Sequence, residues 1–324
     1  MKEQNETIIS RRAFMGGAAA LAASAVMPRY AFGGMSSSKP NSKFNGVQIG
    51  TITYSYRSMP STAEDILKYV VQSGISSIEL MGEPVEQFAG IPATPRMGGR
   101  RGQMTEEQRE AMRTGREAQL DWRLSVSMDK YRALRKMYND AGVNIHIVKF
   151  GSIGNPNMSD AEIDYYFNVA KALGARGITR ELSEDAAKKL GPIADKHQIW
   201  IGFHNHTQLR PDTYDGPILS YGKYLGINLD IGHYVAGANA DPILLILKHH
   251  DRIVSLHLKD RKVNNGPNMP FGQGDTPVAL ILQLMKKEGW TFPGDIELEY
   301  RIPQGSDAVT EVKKCVQFCK ESLA

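Results

Sequence analysis

Ionisable residues gather at one kind of place in this chain, the ends of short apolar runs. His204, His206, His233 and His257 lie there, together with Glu79, Glu181, Asp230, Lys259, Asp260, Glu297 and Glu299. In Ser255-Leu256-His257-Leu258-Lys259 the alternation of an extended chain puts Ser255, His257 and Lys259 on one face. The same alternation pairs Glu297 with Glu299, and His204 with His206 in Phe203-His204-Asn205-His206. Asp230 ends another run, and His233 follows it by three positions. Glu79 and Glu181 each end a run of their own, Glu181 directly after Arg180, where a salt bridge is the plain alternative.

Runs such as Ile199–Phe203 before His204 and Ile253–Leu256 before His257 should bury the imidazole at their end. An unpaired charge there costs several kcal/mol, so a cation shared among the carboxylates and imidazoles is the economical explanation. One Asp, one or two Glu and one His make a mixed nitrogen and oxygen donor set. That set suits Mn²⁺, Zn²⁺, Co²⁺ or Mg²⁺ better than a thiol-seeking metal. Open positions on such an ion bind adjacent oxygens of a sugar or ketone.

Eight β-branched runs carry these residues. The pattern predicts strands over 47–54, 75–81, 143–150, 177–181, 199–204, 226–231, 253–258 and 295–300. Amphipathic stretches over 62–72, 127–141, 159–173, 183–197 and 279–288 predict helices between them. Eight alternating units point to a single-domain α/β fold, a closed (β/α)₈ TIM barrel, whose chemistry sits at the C-terminal strand ends. No GxGxxG follows a strand, which argues against a dinucleotide domain. The gap between the second and third strands is long. It holds Gly98–Gly102 and a charge-rich stretch, 105–119, that reads as an inserted helix with a solvated face, or else as a lid over the barrel mouth.

The chain has 324 residues, 39 Lys+Arg against 35 Asp+Glu, and two cysteines. The near-neutral charge, without basic blocks interleaved with aromatics, argues against a nucleic-acid partner. Cys315 and Cys319, four apart on one helical face, read as packing residues. The first 31 residues read as an address. Ser10-Arg11-Arg12-Ala13-Phe14 precedes a mild Ala/Gly-rich run, the pattern that the twin-arginine export machinery recognises. Ala23-Ser24-Ala25 suits cleavage after Ala25. The apolar stretch is shorter than the roughly 20 residues that span a bilayer, so no membrane association is expected after processing. Residues 32–45 read as a flexible linker and 46–324 as the barrel, in a periplasmic or otherwise exported protein.

Taken together, Asp230-Ile231-Gly232-His233, His257-Leu258-Lys259-Asp260, Phe271-Gly272-Gln273-Gly274 and Leu298-Glu299-Tyr300 resemble the xylose isomerase-like sugar phosphate isomerase/epimerase superfamily. The resemblance runs from about Gly46 onward and implies a divalent metal held by Asp230, His257 and a last-strand glutamate. Counting from Gly294 that glutamate is Glu299, with Glu297 the second choice. Many relatives supply a fourth ligand, a Glu, from the fifth strand, where this chain has His204; Glu181 from the neighbouring strand is slightly favoured in its place. Relatives of this kind also suggest a sugar isomerase or epimerase, or an enzyme that cleaves a 3-keto-glycoside by elimination through an enediolate. Glu181, Glu299, His206 and Lys259 are then the expected catalytic groups. Glu79, His204, His233, Asp260 and Glu297 are expected to contact a small carbohydrate. A non-catalytic periplasmic sugar-binding protein is the alternative, and an endonuclease-like barrel a remoter one.

Overall fold

The computed structural model describes residues 39–94 and 105–324. Eight parallel strands close on themselves: β1 (Val47–Ile52), β2 (Ser77–Met81), β3 (Asn144–Lys149), β4 (Gly177–Glu181), β5 (Trp200–His204), β6 (Leu225–Asp230), β7 (Ile253–Leu258) and β8 (Gly294–Ile296). Each pairs with its sequence neighbours, and β8 pairs with β1 to complete the ring. This is the expected (β/α)₈ barrel. Strand interiors are buried on both faces, as parallel strands under a helical ring must be.

The helices start where side-chain caps permit. Thr62, Ser159 and Ser183 each accept a backbone N–H from the first turn of Ala63–Gln72, Asp160–Leu173 and Glu184–His197. The inserted segment forms one long helix, Glu106–Ser125, opened by a Thr105/Gln108 capping box. It docks on the outer ring through Arg123, which pairs with Glu86 at 2.7 Å and with Glu162 at 3.3 Å. Gly98–Gly102 lie outside the described residues.

Several expectations change. The connection from β5 to β6 carries two short 3₁₀ turns, Thr213–Asp215 and Pro217–Tyr221, in place of an α-helix. Gly191 makes room for the second, since a Cβ there would collide with the Tyr221 carbonyl oxygen. After β6 come two helices to which the sequence pattern assigned nothing, Ile231–Ala238 and Pro242–His249. The last strand stops at Ile296, so Glu297 and Glu299 lie beyond the ladder rather than in it. The end of the expected linker is part of the barrel: Lys43–Phe44 pairs antiparallel with β1, and Ser42 is fully buried, its Oγ donating to the Ile49 carbonyl. The export segment lies outside the described residues. Among the described residues, no helix is long and apolar enough to cross a membrane.

Candidate functional site

The mouth at the C-terminal strand ends is where the charged residues meet. His204 ends β5, Asp230 ends β6, His257 lies near the end of β7, and Glu297 follows β8. One potential ligand atom from each of these four buried residues falls within 4.8 Å of the other three. They come from four consecutive strands, so they form one arc of the barrel wall.

Each member is prepared by a neighbour. His204 Nδ1 lies 2.8 Å from Asn228 Oδ1, which fixes the proton on Nδ1 and leaves Nε2 as a lone pair. Burial, helped by the positive charge of Lys149, holds the His204 pKa well below the usual imidazole value, so the ring is neutral. His257 stands between Glu79, 2.9 Å from Nε2, and Glu297, 3.0 Å from Nδ1. Burial alone would push its pKa down, but the two carboxylates outweigh that and raise it to about 10. Asp230 Oδ1 caps the helix Ile231–Ala238 by accepting the His233 N–H at 2.7 Å, which leaves its buried Oδ2 to ionic contact. That Oδ2 lies 2.8 Å from the Lys259 ammonium.

Lys259 is the hub of the site. Its Nζ is 2.8 Å from Asp230, 2.9 Å from Glu297 and 2.8 Å from Glu299, with the side chain only 2% exposed. Burial opposes its charge, and the three carboxylates more than offset this. Glu297 is likewise penalised by burial yet held well below the usual carboxylate range by Lys259 and His257.

A second group borders the first. Glu181, at the end of β4, lies 3.1 Å from Lys149 and 3.0 Å from His206. Burial would raise its pKa, but His206 and Lys149 bring it down to about 2. The reciprocal hydrogen bond raises the pKa of His206. Glu181, His204 and His206 also bring potential ligand atoms together.

These placements differ from the expected grouping. Glu297, not Glu299, lies with Asp230 and His257, and His204 completes that group, while Glu181 lies with His204 and His206 in the second one. Glu299 instead sits half-buried on Lys259. Glu79 faces no open space: it is fully buried, accepts from Thr179 at 2.6 Å and orients His257 from behind. Asp260 turns away from the mouth. Its carboxylate accepts the backbone N–H groups of Gly272, Gly274 and Thr276 at 2.8, 2.9 and 3.1 Å, so it shapes the Phe271–Gly274 loop. A side chain at Gly274 would collide with Asp260 Oδ1, which closes that loop to any residue but glycine. Lys149 and Asn228 were missed. Asn228 was detectable, since it sits two residues before Asp230 on the same strand face.

The donor set fits a divalent ion. It offers two imidazoles, one neutral with a free Nε2, and two buried carboxylates whose charge requires a cation beside them. The two carboxylates flanking His257 demand positive charge at that ring, and a divalent ion held by His257 and Glu297 would meet the demand with Glu79 still behind the ring. A carboxylate behind a ligating histidine is a recurrent support for metal sites. Glu79→Gln is therefore expected to weaken divalent-ion binding about 10- to 100-fold while the barrel still folds, read by calorimetric titration and circular dichroism.

None of the curated proteins matches the chain by sequence. Solved structures share its fold at low identity. One is a probable 3-DHS dehydratase, AsbF, from Bacillus anthracis, with 14% identity, TM-score 0.58, and coverage of 84% of this chain and 98% of that one. Another is a sugar phosphate isomerase/epimerase from Parabacteroides distasonis, with 18% identity, TM-score 0.53, and coverage of 84% and 93%. A third is the IolI protein with a bound zinc atom, with 12% identity, TM-score 0.58, and coverage of 86% and 98%. A family model described as xylose isomerase-like TIM barrel matches residues 110–321, well over half of the sequence, and the chain belongs to that family.

Proposed function

We propose that this protein is an exported, divalent-metal-dependent carbohydrate enzyme. It removes a proton from the carbon beside a sugar carbonyl, leading to epimerisation or isomerisation, or to loss of the leaving group of a 3-keto-glycoside. The observation that carries the reading is the arc of His204, Asp230, His257 and Glu297 at the barrel mouth, with Lys259 and Glu299 beside it. The zinc bound by IolI and the dehydratase and isomerase/epimerase names of the other relatives agree with it.

A divalent ion held by those four residues supplies Lewis-acid polarisation of a carbonyl. This chain's own groups do the rest. Glu299, 19% exposed and anchored at 2.8 Å on Lys259, is the base we assign to the carbon-bound proton. Lys259 offsets the negative charge that develops on the neighbouring oxygen. His206, whose proton affinity the contact with Glu181 raises, delivers a proton to the opposite side or to the departing oxygen. Lys259 already faces three carboxylates and has no charge to spare for a phosphate, so an uncharged sugar suits the site better than a sugar phosphate. The Arg11-Arg12 leader supports the same preference, because an exported enzyme does not meet cytoplasmic sugar phosphates.

The test is incubation of the purified, Mn²⁺-loaded protein in D₂O with a 3-keto-glucoside and, separately, with free ketoses. Deuterium is expected at the carbon next to the carbonyl, accompanied by aglycone release from the glycoside. No exchange and no turnover on either class would sink the proposal.

A further inference from the structure

The last strand of the barrel gives up its ladder one residue before Glu297, yet the chain beyond it is firmly held. β8 pairs with β1 as far as Ile296 opposite Thr51, and with β7 as far as Ile296 opposite Leu258. On the β7 side the final rung is the Glu297 N–H, which donates to the Leu258 carbonyl at 3.1 Å. On the β1 side the pairing ends because β1 runs into the 3₁₀ turn Thr53–Tyr56. A side chain of that turn takes over. Ser55 Oγ donates to the Ile296 carbonyl at 2.9 Å and accepts the Leu298 N–H at 3.0 Å.

Those are the two bonds that a residue of a parallel strand makes to the peptides on either side of its partner, and here one oxygen makes both. Their direction is fixed. A carbonyl only accepts and a backbone N–H only donates, so the hydroxyl proton points at Ile296. Ser55, Ile296 and Leu298 are all buried, which leaves no water to replace either bond. Arg57, just past the same turn, adds a third grip. Its Nη1 donates to the Leu298 carbonyl while the guanidinium lies 4.6 Å over the Tyr54 ring. Between these bonds sits Glu297, whose carboxylate reaches His257 at 3.0 Å and Lys259 at 2.9 Å. Glu299, one residue past the last grip, takes its place on Lys259 from the same anchor. Thr51 is the natural contrast. Its Oγ1 also donates to the Ile296 carbonyl, at 3.0 Å, and is as deeply buried, but none of its bonds goes to Leu298.

We propose that Ser55 is a positioning residue of the site: its hydroxyl stands in for the missing strand partner of Glu297, and so fixes the carboxylates of Glu297 and Glu299 against His257 and Lys259. The part those carboxylates play in ion binding and proton removal rests on the carbohydrate reading above; the hold on the backbone stands independently of it.

The experiment compares Ser55→Ala with Thr51→Val, two buried substitutions at the same carbonyl, of which only the first removes the Leu298 bond. Amide hydrogen exchange at the Leu298 N–H is expected to be at least about tenfold faster in Ser55→Ala, with the amides of β4 and β5 unchanged, and to match the parent in Thr51→Val. Titration of the folded proteins with Mn²⁺ should show affinity about 10- to 100-fold weaker in Ser55→Ala and close to the parent in Thr51→Val, a contrast that a general loss of stability does not produce. At saturating Mn²⁺ the deuterium-exchange assay should still show a fall in kcat rather than a rise in KM, because Glu299 is displaced. A crystal structure of Ser55→Ala should show the Glu297 carboxylate withdrawn from His257. Unchanged protection of Leu298 in Ser55→Ala, or a Glu297 carboxylate still seated on His257 there, overturns the proposal, as does an equal loss of Mn²⁺ affinity in both variants. If the parent neither binds Mn²⁺ nor exchanges deuterium, the carbohydrate reading fails, while the amide and the crystal structure still decide the role of Ser55.

Discussion

Asp230→Asn is expected to abolish stoichiometric binding of a divalent ion and, with it, deuterium exchange into a sugar. The substitution isolates charge from architecture. Asp230 Oδ1 accepts the His233 N–H at the start of the helix Ile231–Ala238, and an amide oxygen does the same. The helix should therefore remain in place. What disappears is the anionic charge of the buried Oδ2, which pairs with Lys259 and belongs to the ligand cluster. Even residues one step behind a metal ligand are worth about 10- to 100-fold in affinity, so losing a ligand's charge should exceed about 100-fold. Thermal unfolding supplies a second readout. An ion that binds only the folded chain stabilises it by about 2.7 kcal/mol at 100 times its Kd. That increment should be present in the parent and missing in Asp230→Asn. Equal ion-dependent shifts in the two proteins would mean that the ion binds elsewhere or not at all.

The sequence announced where such a site would be more clearly than how it would be wired. Strand alternation placed Ser255, His257 and Lys259 together, and they are together, because a β-strand's period of two leaves no freedom in which face a residue takes. Choosing among ligands was harder. Glu181 and His204 both end strands, and nothing in their chain spacing separates them. The barrel does: β5 is hydrogen-bonded to β6, so His204 lies one strand from Asp230, while Glu181 on β4 lies two strands away and is taken by Lys149 and His206. The Glu297/Glu299 choice turned on where β8 ends. Its ladder stops at Ile296, which brings Glu297 down onto His257 and leaves Glu299 at the rim.

Asp260 shows a different blindness. Its place next to Lys259 suggested the site, yet its partners are backbone N–H groups from residue 272 onward, and backbone donors leave no mark on sequence. Glu79 could be recognised as a buried carboxylate, but not as the support of His257 from across the barrel. That contact joins β2 to β7, strands that are not adjacent in the wall, so no pairing rule predicts it.

Lys259→Met should produce the second large effect, and its dependence on metal is the informative part. The ammonium is nearly fully buried and lies within 2.9 Å of three carboxylates. Methionine replaces the stem but not the charge. Asp230, Glu297 and Glu299 would then crowd together, with His257, through Glu297, the nearest countercharge. Breaking a buried ion pair from one side costs about 3–5 kcal/mol, so chemical denaturation of the metal-free protein should show a loss of that order. Two of the three carboxylates left unpaired are ligands in the proposed cluster, which means that a divalent ion can supply the missing positive charge. Adding the ion should therefore stabilise Lys259→Met by more than it stabilises the parent, where ion and ammonium compete for the same oxygens. Catalysis should not recover in step, because the charge at the developing oxyanion is still absent; a group in that position is worth about 10²- to 10³-fold in rate. A variant that unfolds at the parent's denaturant midpoint without metal would show that the three carboxylates do not depend on Lys259. An equal ion-induced shift in both proteins would show that Lys259 and the ion do not share them.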